Sequence, residues 1–201
     1  VAGERLAAGA LLDLVPDLAA AGVDLFQLRE KDREAGDVLE VAGPLLDACR
    51  SAEVPFILND RPDVARVLGT DGVHVGQNDL PPAAARDIVG SDAIVGLSTH
   101  AEAEVDGALQ EDIDYFAVGP VHETPTKLGR PAAGLGLVRY AASKAPKVPW
   151  FAIGGIDMFN VGDVMAAGAR RIVVVRAITE AADPVGAVGE LRRALDAVPL
   201  D

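Results

Sequence analysis

Two hydrophobic rhythms alternate along the chain. Short runs dense in Val, Ile and Phe recur as VDLFQLRE from residue 23, VPFILND from 54, GVHVGQ from 72, AIVGLST from 93, YFAVGPV from 115, PWFAIGG from 149 and RIVVVRA from 171. Between them lie segments of helical spacing or Ala-rich composition, at residues 9–21, 34–52, 80–89, 101–109, 135–144, 157–167 and 184–197. Strand alternating with helix predicts a parallel sheet covered by helices. Asp79-Leu80-Pro81 and Asp183-Pro184 read as helix starts, and the Ala-Gly pairs at 21–22 and 167–168 as helix stops. Seven strands at a spacing of roughly 20–35 residues fit a (β/α)8 TIM barrel. The first helical segment should follow a strand. The first barrel strand is therefore expected to be missing from this sequence, or poorly replaced by residues 1–8. Nothing marks a linker, so residues 1–201 read as one domain.

Polarity gathers at the carboxyl ends of these strands, where barrel active sites lie. In VDLFQLREKD alternate side chains put Phe26, Leu28 and Glu30 on one face and Gln27, Arg29 and Lys31 on the other. One face of a core strand thus finishes in an amide and two cations. The following strands end in Asn59 and Asp60, in Gln77 and Asp79, and in Ser98, Thr99 and His100. The fifth runs into HETPTKLGRP, with Thr124, Thr126 and Lys127, and the last two end in Gly154-Gly155 and in Arg176. Taken singly these have ordinary readings: Asn-Asp as a turn, Asp79 as a helix cap, Arg29-Glu30 as a surface pair, His74 as a satisfied core histidine. Six consecutive strands ending in polar groups on one rim form the pattern of a ligand site.

Composition narrows the partners. Lys and Arg number 18 against 31 Asp and Glu, a net charge of -13, which repels phosphate backbones and argues against nucleic acid. Local cationic pockets stand out against that background. The single cysteine, Cys49, excludes an internal disulfide and any zinc site built on paired cysteines. It falls on the apolar stripe of Leu39, Ala42, Leu45 and Leu46 and reads as packing. No apolar run reaches membrane-spanning length and no signal peptide is visible, so the expected location is cytoplasmic. A homo-oligomer stays open.

The chemistry follows from residue type. Arg29, Lys31 and Lys127 supply positive charge. Asp60 and Asp79 are hard oxygen ligands at adjacent strand ends, suited to Mg²⁺ held together with substrate phosphates. Gly154 and Gly155 match the common barrel phosphate site, where backbone N–H groups approach an anion closely. One diphosphate site with a metal and one monophosphate site imply a joining reaction.

The ordered set QLREK, ILNDRPDVA, DGVHVGQNDLP, GLSTH, YFAVGPVHETPTK and FAIGGI resembles the thiamine phosphate synthase family from about residue 20 onward. The resemblance implies a barrel that joins hydroxymethylpyrimidine diphosphate to thiazole phosphate, giving thiamine monophosphate and pyrophosphate. It implies diphosphate contacts from Gln27, Arg29, Lys31 and Lys127, and places Asn59 and Ser98 beside the pyrimidine. It implies Mg²⁺ on Asp60 and Asp79, and puts Thr124, Thr126, Gly155 and the backbone near Val175 and Arg176 at the thiazole phosphate. Arg29, Lys127 and Ser98 would carry the chemistry, with residues 122–134 as a lid. Arg176 stands where many members have Ser. The nearest alternative is a thiazole tautomerase on the same barrel, whose acid–base histidine would fall at Pro120. A phosphosugar epimerase and a non-catalytic barrel for phosphorylated ligands are the others.

Overall fold

A computed structural model describes residues 10–124 and 131–197. Seven strands form one parallel sheet in sequential order. They are β1 (Phe26–Leu28), β2 (Phe56–Asn59), β3 (Gly72–Val75), β4 (Ile94–Thr99), β5 (Tyr115–Val118), β6 (Trp150–Ile153) and β7 (Ile172–Val173). Each predicted run holds one of them. The expected first strand, residues 1–8, lies outside the described residues.

The helices are α1 (Ala10–Asp13), α2 (Val15–Ala20), α3 (Ala35–Ser51), α4 (Pro62–Leu68), α5 (Pro82–Val89), α6 (Glu102–Ala108), α7 (Gly134–Ser143), α8 (Val161–Ala166), α9 (Arg176–Thr179) and α10 (Pro184–Asp196). The single segment expected over 9–21 is two short helices, parted at Leu14. The run RIVVVRA pairs only through Ile172 and Val173, and Arg176 already opens α9. The helix stops hold: Gly22 and Gly168 have φ of 117° and 108°, a region that L side chains rarely enter.

Alternation within the strands divides the interior in two. Leu28, Leu58, Val73, Val95, Phe116 and Ala152 join the helices in one core with Val38, Leu45, Val105, Val138 and Val164. Ile57, Tyr115 and Ala117 are buried but stand apart from that cluster, so they face the other side of the sheet. Cys49 is fully buried in the helix-side core, and burial, with Asp71 nearby, pushes its thiol up to about 12, as expected of an inert packing residue.

The amino-terminal edge of the sheet is tied by carboxylates. Asp71, just before β3, accepts the N–H of Phe56 at 2.8 Å, and Asp114, just before β5, accepts that of Val95 at 2.7 Å. Arg86 from α5 holds Asp114 at 2.8 Å. The helical layer returns on itself: α10 packs against both α8 and α2. Arg192 of α10 reaches Asp24, just before β1, at 3.1 Å.

Candidate active site at the carboxyl ends of the strands

The unusual face of the first strand resolves early. Phe26 and Leu28 are buried towards the helices while Gln27 faces the other side. The strand ends at Leu28, so Arg29 and Lys31 are placed by the loop that follows rather than by strict alternation. Glu30 pairs with Arg33 at 2.9 Å. Lys31 crosses to the end of β2, its ammonium 2.7 Å from the Asp60 carboxylate. Arg29 is half-buried and makes no ion pair among the described residues.

Asp60 owes its direction to an uncommon backbone. Its φ is 64°, in the left-handed region that Asp tolerates better than most residues. Its N–H donates to the His74 carbonyl at 2.8 Å, which fixes that turn to β3. Burial pushes the Asp60 carboxyl up, and the neighbouring Asp79 adds to the rise while Lys31 opposes it. Asp79 is not the helix cap its spacing suggested. The helix begins at Pro82, Pro81 is its N-cap, and the Asp79 carboxylate instead accepts the Gly76 N–H at 2.8 Å. Burial pushes Asp79 up, but Asp60, Gly76, Lys31 and His74 together bring it below the usual carboxylate range. Two carboxylates and one ammonium therefore share a corner at the ends of β2 and β3.

A hydrogen-bonded chain runs beside that corner. Gln27 Nε2 donates to the Tyr115 hydroxyl at 3.4 Å. That hydroxyl lies 2.9 Å from His74 Nδ1, and His74 Nε2 lies 2.8 Å from Ser98 Oγ. Burial raises the Tyr115 phenol well above its ordinary range, so it stays protonated. His74 bridges Tyr115 and Ser98 through its two ring nitrogens, and its tautomer decides which neighbour donates. Gln77 Nε2 holds the Ser98 carbonyl at 2.7 Å. Asn59 is buried and pairs in register with His74. The reading of His74 as a satisfied histidine is correct, but what satisfies it is site structure. Tyr115 was missed, and Gln77, named at the end of its strand, was given no role. The available signal was Gly96 inside a strand: a Cβ there would lie 2.2 Å from Tyr115 Cζ and 2.6 Å from His74 Nδ1.

The other end of the sheet holds a cavity of about 520 Å³. Thr124, Gly154, Gly155, Val175 and Arg176 line it together with Asp157, Glu180 and Glu190, and its apolar wall includes Ile153, Val173 and Leu191. Thr126 and Lys127 lie outside the described residues, as does much of the expected lid. The structure thus gathers the predicted residues into two groups. Gln27, Lys31, Asn59, Asp60, Asp79 and Ser98 form one, and Thr124, Gly155, Val175 and Arg176 the other.

Known proteins resemble this chain in sequence and in fold. Residues 1–178 match the family model described as thiamine monophosphate synthase. The chain is 54% identical over 186 residues to thiamine-phosphate synthase of Thermus thermophilus, covering 92% of this chain and 89% of that one. It is 51% identical over 188 residues to thiamine-phosphate synthase of Streptomyces avermitilis, covering 93% and 87%. Among solved structures, thiamine phosphate pyrophosphorylase from Pyrococcus furiosus superposes with a TM-score of 0.81 at 30% identity, covering 92% of this chain and 89% of that one. A 3-hexulose-6-phosphate synthase shares the fold alone, with a TM-score of 0.68 at 20% identity over 96% and 95% of the two chains.

Proposed function

The chain belongs to the thiamine monophosphate synthase family and joins a hydroxymethylpyrimidine diphosphate to a thiazole phosphate; from that premise we propose how its two groups of residues divide the work. The Lys31–Asp60–Asp79 corner takes the diphosphate, and the Gly154–Gly155 cavity takes the thiazole phosphate. The observation that carries this division is the meeting of one ammonium and two carboxylates at the end of the sheet away from the glycine cavity.

The carboxylate pair fits a hard divalent cation. Burial and the neighbouring Asp79 oppose the ionisation of Asp60, which a cation between the two carboxylates would relieve. Among the described residues no three His, Cys, Asp or Glu side chains converge. The protein would hold Mg²⁺ through these two carboxylates, and diphosphate oxygens and water would complete its shell. When bound, such an ion supplies charge that favours departure of the diphosphate.

The residues of the chain orient and stabilise. Lys31 and Arg29, with Lys127 from outside the described residues, face the departing diphosphate, where negative charge grows as the bond to the pyrimidine methylene breaks. Ser98, held by His74, presents its hydroxyl to the pyrimidine, beside Asn59 and Gln27. The methylene cation left behind is then attacked by the thiazole nitrogen. No protein nucleophile is needed, so the task is to align two ligands and exclude water. Thr124, Thr126 and the backbone at Gly155, Val175 and Arg176 hold the thiazole phosphate. The Arg176 guanidinium, on the rim of that cavity, adds a cation to the phosphate end.

We read the scaffold as a (β/α)8 barrel. The packing of α10 on α2 supports this, because it joins the last helix of the described residues to one of the first. Pyrophosphate release tests the function. It is expected only when both substrates and Mg²⁺ are present. Release from the diphosphate alone, or at full rate in excess chelator, would contradict the proposal.

A further inference from the structure

Asn160 stands at the N-cap of α8, where asparagine is favoured because its side-chain oxygen can accept an N–H of the first turn. Asn160 makes no such bond. Its Oδ1 reaches back to accept the Asp157 N–H at 3.0 Å, and its Nδ2 donates to the Gly155 carbonyl at 2.8 Å. Asp157 answers in kind, its Oδ1 accepting the N–H groups of Phe159 at 2.8 Å and Asn160 at 3.2 Å. The loop from Gly155 to Asn160 is thereby closed by its own side chains.

That loop contains the glycine turn of the cavity. Gly154 and Gly155 have φ of 104° and 64°. The Gly154 carbonyl accepts the His122 N–H at 3.0 Å, and the Gly155 carbonyl accepts Asn160 Nδ2 at 2.8 Å. In a trans peptide the N–H points opposite to the C=O. Anchoring both carbonyls therefore turns the N–H groups of Gly155 and Ile156 away from those anchors. Among the described residues neither N–H has a hydrogen-bond partner, and both residues line the cavity. Asn160 does not line it.

We propose that Asn160 is a positioning residue for the phosphate of the second substrate, fixing the Gly155–Ile156 peptide so that its N–H meets the phosphate. This rests on the placement of the thiazole phosphate in the glycine cavity. The competing role is simple loop closure by accepting the Asp157 N–H, which Asp or Ser would perform as well as Asn. Neither Asp nor Ser can donate to the Gly155 carbonyl in place of Nδ2: Asp has no proton to give and Ser is too short.

The experiment compares Asn160→Asp and Asn160→Ser with wild type, by thermal melting and by steady-state kinetics. The kinetics vary thiazole phosphate, hydroxymethylpyrimidine diphosphate and the unphosphorylated thiazole alcohol in turn. Both variants are expected to fold. Their KM for thiazole phosphate should rise roughly tenfold, the loss of one aligned hydrogen bond, with the KM for the diphosphate within about twofold of wild type and use of the alcohol unchanged. Should Asp repel the Gly155 carbonyl enough to unfold the turn, the Ser variant alone decides. A wild-type KM for thiazole phosphate in the folded variants would overturn the proposal and leave loop closure as the role. Equal losses on all three ligands would overturn it as well. A wild-type enzyme that uses the alcohol as well as the phosphate would instead overturn the phosphate placement itself.

Discussion

Asp60 is where the sequence gives up local ease for the site. Its left-handed backbone costs about 1–2 kcal/mol for an L residue, somewhat less for Asp, and its carboxylate is brought against Asp79. Groups held this way are placed for a ligand rather than for the stability of the empty fold. Asp60→Asn is therefore expected to melt no lower than wild type without Mg²⁺ and to lose the upward shift that Mg²⁺ gives with the diphosphate. Its turnover should fall by roughly 10²-fold, the order seen when a charge partner of the transition state is lost. Thermal melts with and without the metal, beside initial rates, check both parts. Tyr115→Phe makes a second prediction. Without the phenol hydroxyl, His74 Nδ1 loses its partner and the ring is no longer held from both sides against Ser98. The KM for the pyrimidine diphosphate should rise by about 3- to 10-fold, the worth of one net hydrogen bond, with the KM for thiazole phosphate unchanged.

Gly96 links strand to site. A methyl group there would overlap the Tyr115 ring and His74, both held by neighbouring strands. Gly96→Ala is expected to destabilise the fold by roughly 1–3 kcal/mol through overpacking, read from denaturant midpoints. Asp114→Ala works at the opposite edge. It strands the buried Val95 N–H and removes one of the two carboxylates on Arg86, so it should cost about 1–3 kcal/mol in stability and leave both KM values alone. The elements were legible where burial imposed a pattern: strands covered on both faces kept dense β-branched runs. Helix α4 escaped notice because it spans only Pro62–Leu68 and leaves Val67 exposed, which blurs its apolar stripe. Helix α9 hid just behind a run of valines that ordinarily continues a strand. The cations and carboxylates of the mouth were readable because charge at the end of a buried strand has no packing explanation. The Tyr115–His74 chain was not, because each partner alone reads as core and only pairing across strands joins them.

At the scale of the molecule, a sequentially ordered parallel sheet puts every strand's carboxyl end on one rim, so residues far apart in sequence face one another. The opposite rim, tied by Asp71, Asp114 and Arg86, carries stability. The central claim is that the active rim is divided, with one substrate at β2–β3 and the other at β6–β7. Steady-state kinetics of Lys31→Ala and Gly155→Ala, each substrate varied in turn, measures that division. Lys31→Ala is expected to raise the KM for the pyrimidine diphosphate alone, and Gly155→Ala the KM for the thiazole phosphate alone. Both variants weakening the same substrate would contradict a divided rim.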